Sequence, residues 1–168
     1  STMANKYIYL NGGVLTELEA TTTSAGAGDA GEIVALDGSG KLDSTLMPAG
    51  FGSDSKSMTA GEALTAGDLV YINGSGNALK ADANAIAKAA VGFVLASISN
   101  AASGTVYFEG TITGLSGLTP GARYFLSTTP GGITTTAPTG PADIVQQVGF
   151  ALSATELSFD AGTPVVRA

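Results

Sequence analysis

Apolar residues along this chain fall in short alternating runs, broken every few positions by glycine, proline, asparagine or serine. Val106 to Thr113 shows the alternation: Val106, Phe108 and Ile112 fall on one face, Tyr107, Glu109, Thr111 and Thr113 on the other. Leu69 to Ile72, Tyr124 to Leu126, Ile133 to Thr136, Ile144 to Leu152, Glu156 to Phe159 and Val165-Val166 are β-prone in the same way. Val91 to Ile98 is almost continuously apolar, as suits a buried strand. Asn73-Gly74-Ser75-Gly76-Asn77 predicts a tight connection. Ala81 to Ala90, alanine-rich with Asp82 near its start, fits either a short helix or a loop lined by small residues. Strands at this spacing with Gly and Pro turns predict an all-β fold, a small barrel or sandwich over residues 57–168.

Residues 1–56 have a different texture. Tyr7-Ile8-Tyr9-Leu10 and Val14 to Leu18 flank Asn11-Gly12-Gly13, predicting a hairpin or a turn between extended pieces. Thr21 to Gly31 has the composition of a flexible linker. Asp37-Gly38-Ser39-Gly40 is a further turn between short extended pieces, and Leu46-Met47-Pro48 leads into a glycine-rich passage ending at Asp54. The apolar mass is too small for an independent core, so an extended arm is expected. Its anchoring residues would be Tyr7, Ile8, Tyr9 and Leu10, with Leu46 and Met47 as a second apolar point.

Two stretches of the β region say nearly the same thing twice. Leu64 to Ile72 (LTAGDLVYI) returns as Leu118 to Leu126 (LTPGARYFL), and Val91 to Ala96 (VGFVLA) returns as Val148 to Ser153 (VGFALS). A fainter match sets Val106-Tyr107-Phe108-Glu109 against Leu157-Ser158-Phe159-Asp160. The order is kept. A repeat this short cannot bury its apolar face alone, so the two copies should share a core. The expected arrangement is an internal pseudo-twofold duplication, with halves at about 60–113 and 114–167. Phe93 would overlay Phe150, and Tyr71 would overlay Phe125; with Phe108 and Phe159 these form the repeat core.

Composition narrows the chemistry. Apolar residues make up 44% of the chain, but much of this is alanine; tryptophan is absent and the aromatics are eleven Phe or Tyr. Such a thin core is often completed by partners, which suggests a homo-oligomer. Net charge is −7 with the seven basic residues scattered, so the clustered cations needed for nucleic-acid binding are missing. The chain lacks cysteine, and no apolar stretch is long enough to span a bilayer as a helix. No basic and apolar leader opens the sequence, and Ser1-Thr2 ahead of Met3 reads as a remnant of expression cloning.

Histidine is also absent, which removes the commonest general base and the usual activator of a serine nucleophile. The expectation is therefore a protein without catalytic, metal or cofactor residues. Gly38-Ser39-Gly40-Lys41 superficially resembles a phosphate loop, but Ala35 stands where that loop needs glycine and Leu42 where it needs Ser or Thr. Asp37 and Asp43 faintly resemble a calcium loop without its alternating acidic ligands or terminal glutamate. Glu109 and Asp160 occupy equivalent places in the two copies and should point outward into solvent. Asn73-Gly74-Ser75 matches a glycosylation acceptor, which carries little weight without a secretion signal.

Glu62 to Val70, Lys80-Ala81-Asp82-Ala83, Ala90 to Val94, and Leu115 to Leu126 with Pro130 to Thr134 resemble small β-rich virion proteins of tailed bacteriophages. These are capsid decoration (cement) proteins and related head-fibre proteins. Leu36 to Asp43 followed by Met47-Pro48 is similar to the linker that precedes such domains. The resemblance spans most of residues 32–167, through patterned rather than catalytic motifs. It implies homotrimers on the outer surface of a virion, bound to the major capsid protein and using the arm to grip neighbouring shell subunits. Tail-fibre and baseplate proteins share this vocabulary, so a fibre module that binds a receptor or carbohydrate is the alternative. The presence of only two repeats and an apolar-starting arm favours the decoration class.

Overall fold

The computed structural model describes residues 6–47 and 54–168. Ser1 to Met3, Pro48 and most of the glycine-rich passage lie outside the described residues. The chain divides into two units, Ser1–Phe51 and Gly52–Ala168. Ser55 and Lys56, grouped with the arm by composition, therefore belong to the second unit.

In the first unit, β1 (Lys6–Asn11) and β2 (Val14–Glu19) pair as an antiparallel hairpin with Asn11 opposite Val14. The two-residue loop has φ +57° at Gly12 and +89° at Gly13. A type I′ turn demands positive φ at both central positions, so Gly-Gly selects the hairpin. Thr21 to Gly31 is not an open linker. The Thr21 N–H donates to Ile33 O (2.9 Å) and the Ala35 N–H to Thr21 O (2.8 Å), closing the segment into a loop. Inside it, Asp29 accepts the Ala25 N–H beside a 3-10 turn, Ala27–Asp29. No described residue of this unit is buried.

The second unit is all-β, built on two five-stranded antiparallel sheets. In the first sheet, β3 (Ser55–Thr59), β4 (Leu69–Ile72), β5 (Ala78–Lys80), β6 (Gly92–Phe93) and β7 (Ser103–Tyr107) lie in the order β3-β7-β6-β4-β5. A bridge from Ala60 to Ala78 links its two edges. The second contains β8 (Gly110–Ile112), β9 (Arg123–Leu126), β10 (Ile133–Thr134), β12 (Gln147–Ala151) and β13 (Leu157–Phe159), in the order β10-β9-β12-β13-β8. Two short strands, β11 (Ile144–Val145) and β14 (Val165–Val166), pair with each other. The alternating run Val106 to Thr113 is thus two strands in different sheets. The chain crosses over near Phe108, whose N–H donates to Asp54 O at 2.7 Å, so each half starts with its own strand, β3 or β8. Within Ala81 to Ala90 the only helical piece is the 3-10 turn Ile86–Lys88. Of Val91 to Ile98 only Gly92–Phe93 is strand, with Val91 and Leu95 exposed.

Strand order is the same in both sheets, and so are the registers at the matched positions. Leu69 pairs with Phe93 and Val70 with Gly92; Arg123 pairs with Phe150 and Tyr124 with Gly149. Phe93 faces Tyr107 as Phe150 faces Ser158. A Cβ on Gly92 would lie 2.5 Å from Tyr107 O, and one on Gly149 would lie 2.0 Å from Ser158 O. Glycine is needed in both places because the neighbouring backbone passes too close for a side chain.

Burial breaks this correspondence. Phe93 is 1% exposed, whereas Phe150 is 45% exposed and leaves the expected repeat core. The reason is that the first sheet is covered on both faces. Leu69 and Phe93 join a large cluster with Ile112, Tyr124, Leu126, Leu157 and Phe159 of the second sheet. Val70, Val94 and Val106 point the other way into a smaller cluster with Leu64 and Ile98. The second sheet buries only its Tyr124, Leu126, Ala151 and Leu157 face, and Arg123 and Phe150 project from the other. Of the remaining repeat-core residues, Phe159 is buried and Tyr71, Phe108 and Phe125 are half-buried.

Phe93→Ala should cost about 3–5 kcal/mol of unfolding free energy, and Phe150→Ala less than about 1 kcal/mol. Gly149→Ala should cost more than about 1 kcal/mol, because φ there is unsuited to a side chain and the carbonyl of Ser158 stands in its place. Urea denaturation of the three variants checks the ranking; equal losses at Phe93 and Phe150 would contradict the one-sided second sheet.

Candidate functional site

The β1–β2 hairpin carries more exposed apolar surface than its fold requires. Cross-strand partners share a face, so Ile8, Leu10 and Leu15 line one side together with Lys6, Glu17 and Glu19. Ile8 is 69%, Leu10 63% and Leu15 74% exposed. Tyr7, Tyr9, Val14 and Leu18 occupy the other side, with the Tyr7 and Tyr9 rings 6.5 Å apart. The Lys6 ammonium pairs with Glu17, which raises the Lys6 pKa through that hydrogen bond and charge. The ion pair borders the apolar tip. A lone two-stranded hairpin is marginal in water, so a surface of this kind gains most by being covered.

Leu46 and Met47 belong to a separate element. Both are half-buried, in and just after the 3-10 turn Ser44–Leu46. Asp43 caps that turn, accepting the Thr45 N–H at 2.9 Å and the Thr45 hydroxyl at 2.7 Å. These bonds hold the Asp43 carboxyl below the usual carboxylate range, the hydroxyl having the larger effect. Its capping role accounts for one of the two carboxylates of the faint calcium pattern.

The other, Asp37, closes the phosphate-loop lookalike on itself. Asp37 Oδ1 accepts the Ser39 N–H (2.8 Å) and the Lys41 N–H (2.9 Å). Asn73 Oδ1 does the same for Ser75 (3.0 Å) and Asn77 (2.9 Å) in the β4–β5 turn. Asp/Asn-Gly-Ser-Gly is one turn used twice: the N–H groups that would cradle a phosphate already bind the side chain that starts the turn. Glu109 and Asp160 are both exposed, on the rim of one open cleft with Phe108 and Phe159.

Two buried polar groups, Asp82 and Gln146, were not among the residues given a functional role from sequence. Asp82, 2% exposed, accepts Lys88 Nζ at 2.9 Å and both the backbone N–H (3.0 Å) and Nδ2 (2.8 Å) of Asn84. Burial pushes its pKa up, but the bonds from Lys88 and Asn84 outweigh that and hold it low. Gln146 accepts the Ala90 N–H (2.8 Å) and donates to Ala90 O (2.8 Å) and Gly162 O (3.1 Å). Asp82 had a sequence signal, its place at the head of the alanine-rich segment; it braces that loop rather than capping a helix. Gln146 had none, since its partners are 56 and 16 residues away. No helix among the described residues is long and apolar enough to cross a membrane.

The Asp82–Lys88 pair sets a pH dependence. Ionised Asp82 contributes stability in full above the ordinary carboxylate value of about 3.9, and this is lost as pH falls through its lowered folded value. Lys88 is raised by its hydrogen bond to Asp82, so its contribution is present below about 10.4 and lost as pH rises through the folded value. Asp82→Ala should cost about 1–3 kcal/mol at neutral pH by leaving the Asn84 donors unpaired. Thermal melts across pH should show flatter acid and alkaline limbs in this variant than in the parent; identical profiles would deny the pair its role.

No protein-family model matches the chain, and no characterised protein is similar enough in sequence to stand as its relative.

Proposed function

We propose that this is a structural protein of a tailed-phage virion, which decorates the outer capsid surface and stabilises the shell. The observation that carries the reading is the β1–β2 hairpin, whose Ile8, Leu10 and Leu15 are largely exposed on one face. Burying three such side chains is worth roughly 4–9 kcal/mol in gross transfer energy, from which the cost of association is subtracted. The hairpin's outer strand edges also offer backbone groups that can extend a neighbour's sheet. The major capsid protein is the proposed partner. A ligand that binds only the assembled shell stabilises it by mass action. The resemblance of residues 32–167 to decoration proteins supports the same reading, with homotrimers as the expected assembly.

The test uses undecorated capsids of the phage that encodes the protein. Full-length protein should co-sediment with them, and the Ile8→Glu/Leu10→Glu double variant should bind at least tenfold more weakly while the melting of the second unit is unchanged. Full-affinity binding by the variant would move the capsid-binding surface off the hairpin. Failure of the parent protein to bind would remove the decoration reading itself.

A further inference from the structure

The sequence contains two Asn-Gly steps, Asn11-Gly12 and Asn73-Gly74, and the fold holds them differently. At such a step the backbone nitrogen of the glycine can attack Cγ of the asparagine carboxamide, because glycine has no Cβ to shield it. The N–Cγ bond forms, the carboxamide nitrogen leaves as ammonia, and a cyclic succinimide results. Water then opens the ring at either carbonyl, giving aspartate or isoaspartate, with nothing oxidised or reduced. The ring closes only when the asparagine backbone leaves the extended conformation. The reaction therefore runs through local opening of whatever structure holds that residue.

Asn11 is exposed at the end of β1, in the last pair of the ladder opposite Val14. Gly12 lies beyond that pair, and no atom stands within 4 Å of the place a Cβ would take. The sheet that holds Asn11 has only the strands β1 and β2, and such a hairpin opens readily in water. Asn73 is tied more firmly. Its Oδ1 accepts the Ser75 (3.0 Å) and Asn77 (2.9 Å) N–H groups. Its own N–H donates to Asn77 O (3.0 Å), and its carbonyl accepts the Gly76 N–H (2.9 Å). These bonds close the turn between β4 and β5, two strands of the packed first sheet. Turning Asn73 onto Gly74 means opening that turn.

We propose that Asn11 is a self-modification site, converting in the folded protein to aspartate and isoaspartate through a succinimide with Gly12, while Asn73 is preserved. The products change the hairpin. Aspartate adds a negative charge beside Leu10 at the apolar tip. Isoaspartate carries the main chain through its side-chain carbon and so lengthens the backbone at the turn. That is where Gly12-Gly13 sets the register of Leu10 against Leu15. The ageing chain thereby loses the pairing that gathers Ile8, Leu10 and Leu15 on one face. The modification does not rest on the capsid reading; any consequence for capsid binding does.

The test keeps the full-length protein in warm, mildly alkaline buffer and follows both sites by peptide mass spectrometry, with isoaspartate detected by an isoaspartyl methyltransferase. In the folded protein Asn11 should convert at least about tenfold faster than Asn73, and both products should be found. In urea the two rates should come together, because unfolding removes the turn that holds Asn73. Equal rates in the folded protein, faster loss at Asn73, or an Asn11 that stays intact would each overturn the proposal. Hydrogen exchange at short times should show less protection of β1 and β2 in aged parent protein than in equally aged Asn11→Gln protein. Equal protection in the two would overturn the effect on the hairpin. Failure of fresh protein to bind capsids would remove the decoration reading and leave this one standing, so the two ideas fail separately.

Discussion

The packing of Phe93 between the two sheets is the contact on which the second unit depends. Its ring is fully buried, stacked on Tyr107 of its own sheet and edge-on to Phe159 of the other. That position covers the outer face of the first sheet, whose inner face is already filled by Val70, Val94 and Val106. Because the first sheet is sealed on both sides, consecutive residues such as Leu69 and Val70 are both apolar and both buried. A chain with no tryptophan and much alanine can reach that density only by bringing two thin layers together.

Polar side chains serve the backbone throughout. Asp37, Asp43 and Asn73 each bind N–H groups two to four residues ahead, and they set turns that glycine alone would leave loose. Asp82 and Gln146 do the same work inside the core, one bracing the Ala81–Ala90 loop and the other tying Ala90 to the C-terminal segment. Exposed apolar side chains include Ile8, Leu10 and Leu15 of the hairpin in the first unit and Phe150 and Leu152 in the second. The two have different origins. The hairpin is too thin to bury its own side chains, whereas Phe150 lies on the face of the second sheet turned away from the shared core.

Much of this architecture was legible in the residues. Period-two alternation and Gly-rich punctuation determine an all-β chain, and Gly12-Gly13 after Asn11 determines a tight hairpin, because these are local steric preferences. The matched segments also carry the strand registers, since equivalent residues at Gly92 and Gly149 meet the same close backbone approach. The exposure of Ile8 and Leu10 was likewise readable, there being too few apolar residues nearby to hide them. What only the tertiary structure decided is which side of each strand is inside. Phe93 and Phe150 both follow Val-Gly and share a register, yet one is buried and the other is not, because burial depends on what lies across the sheet. The break of Val106 to Thr113 between two sheets, the closing of Thr21 to Gly31 by a bridge to Val34, and the long-range bonds of Gln146 are of the same kind. Each is fixed by partners distant along the chain, and local pattern carries no record of them.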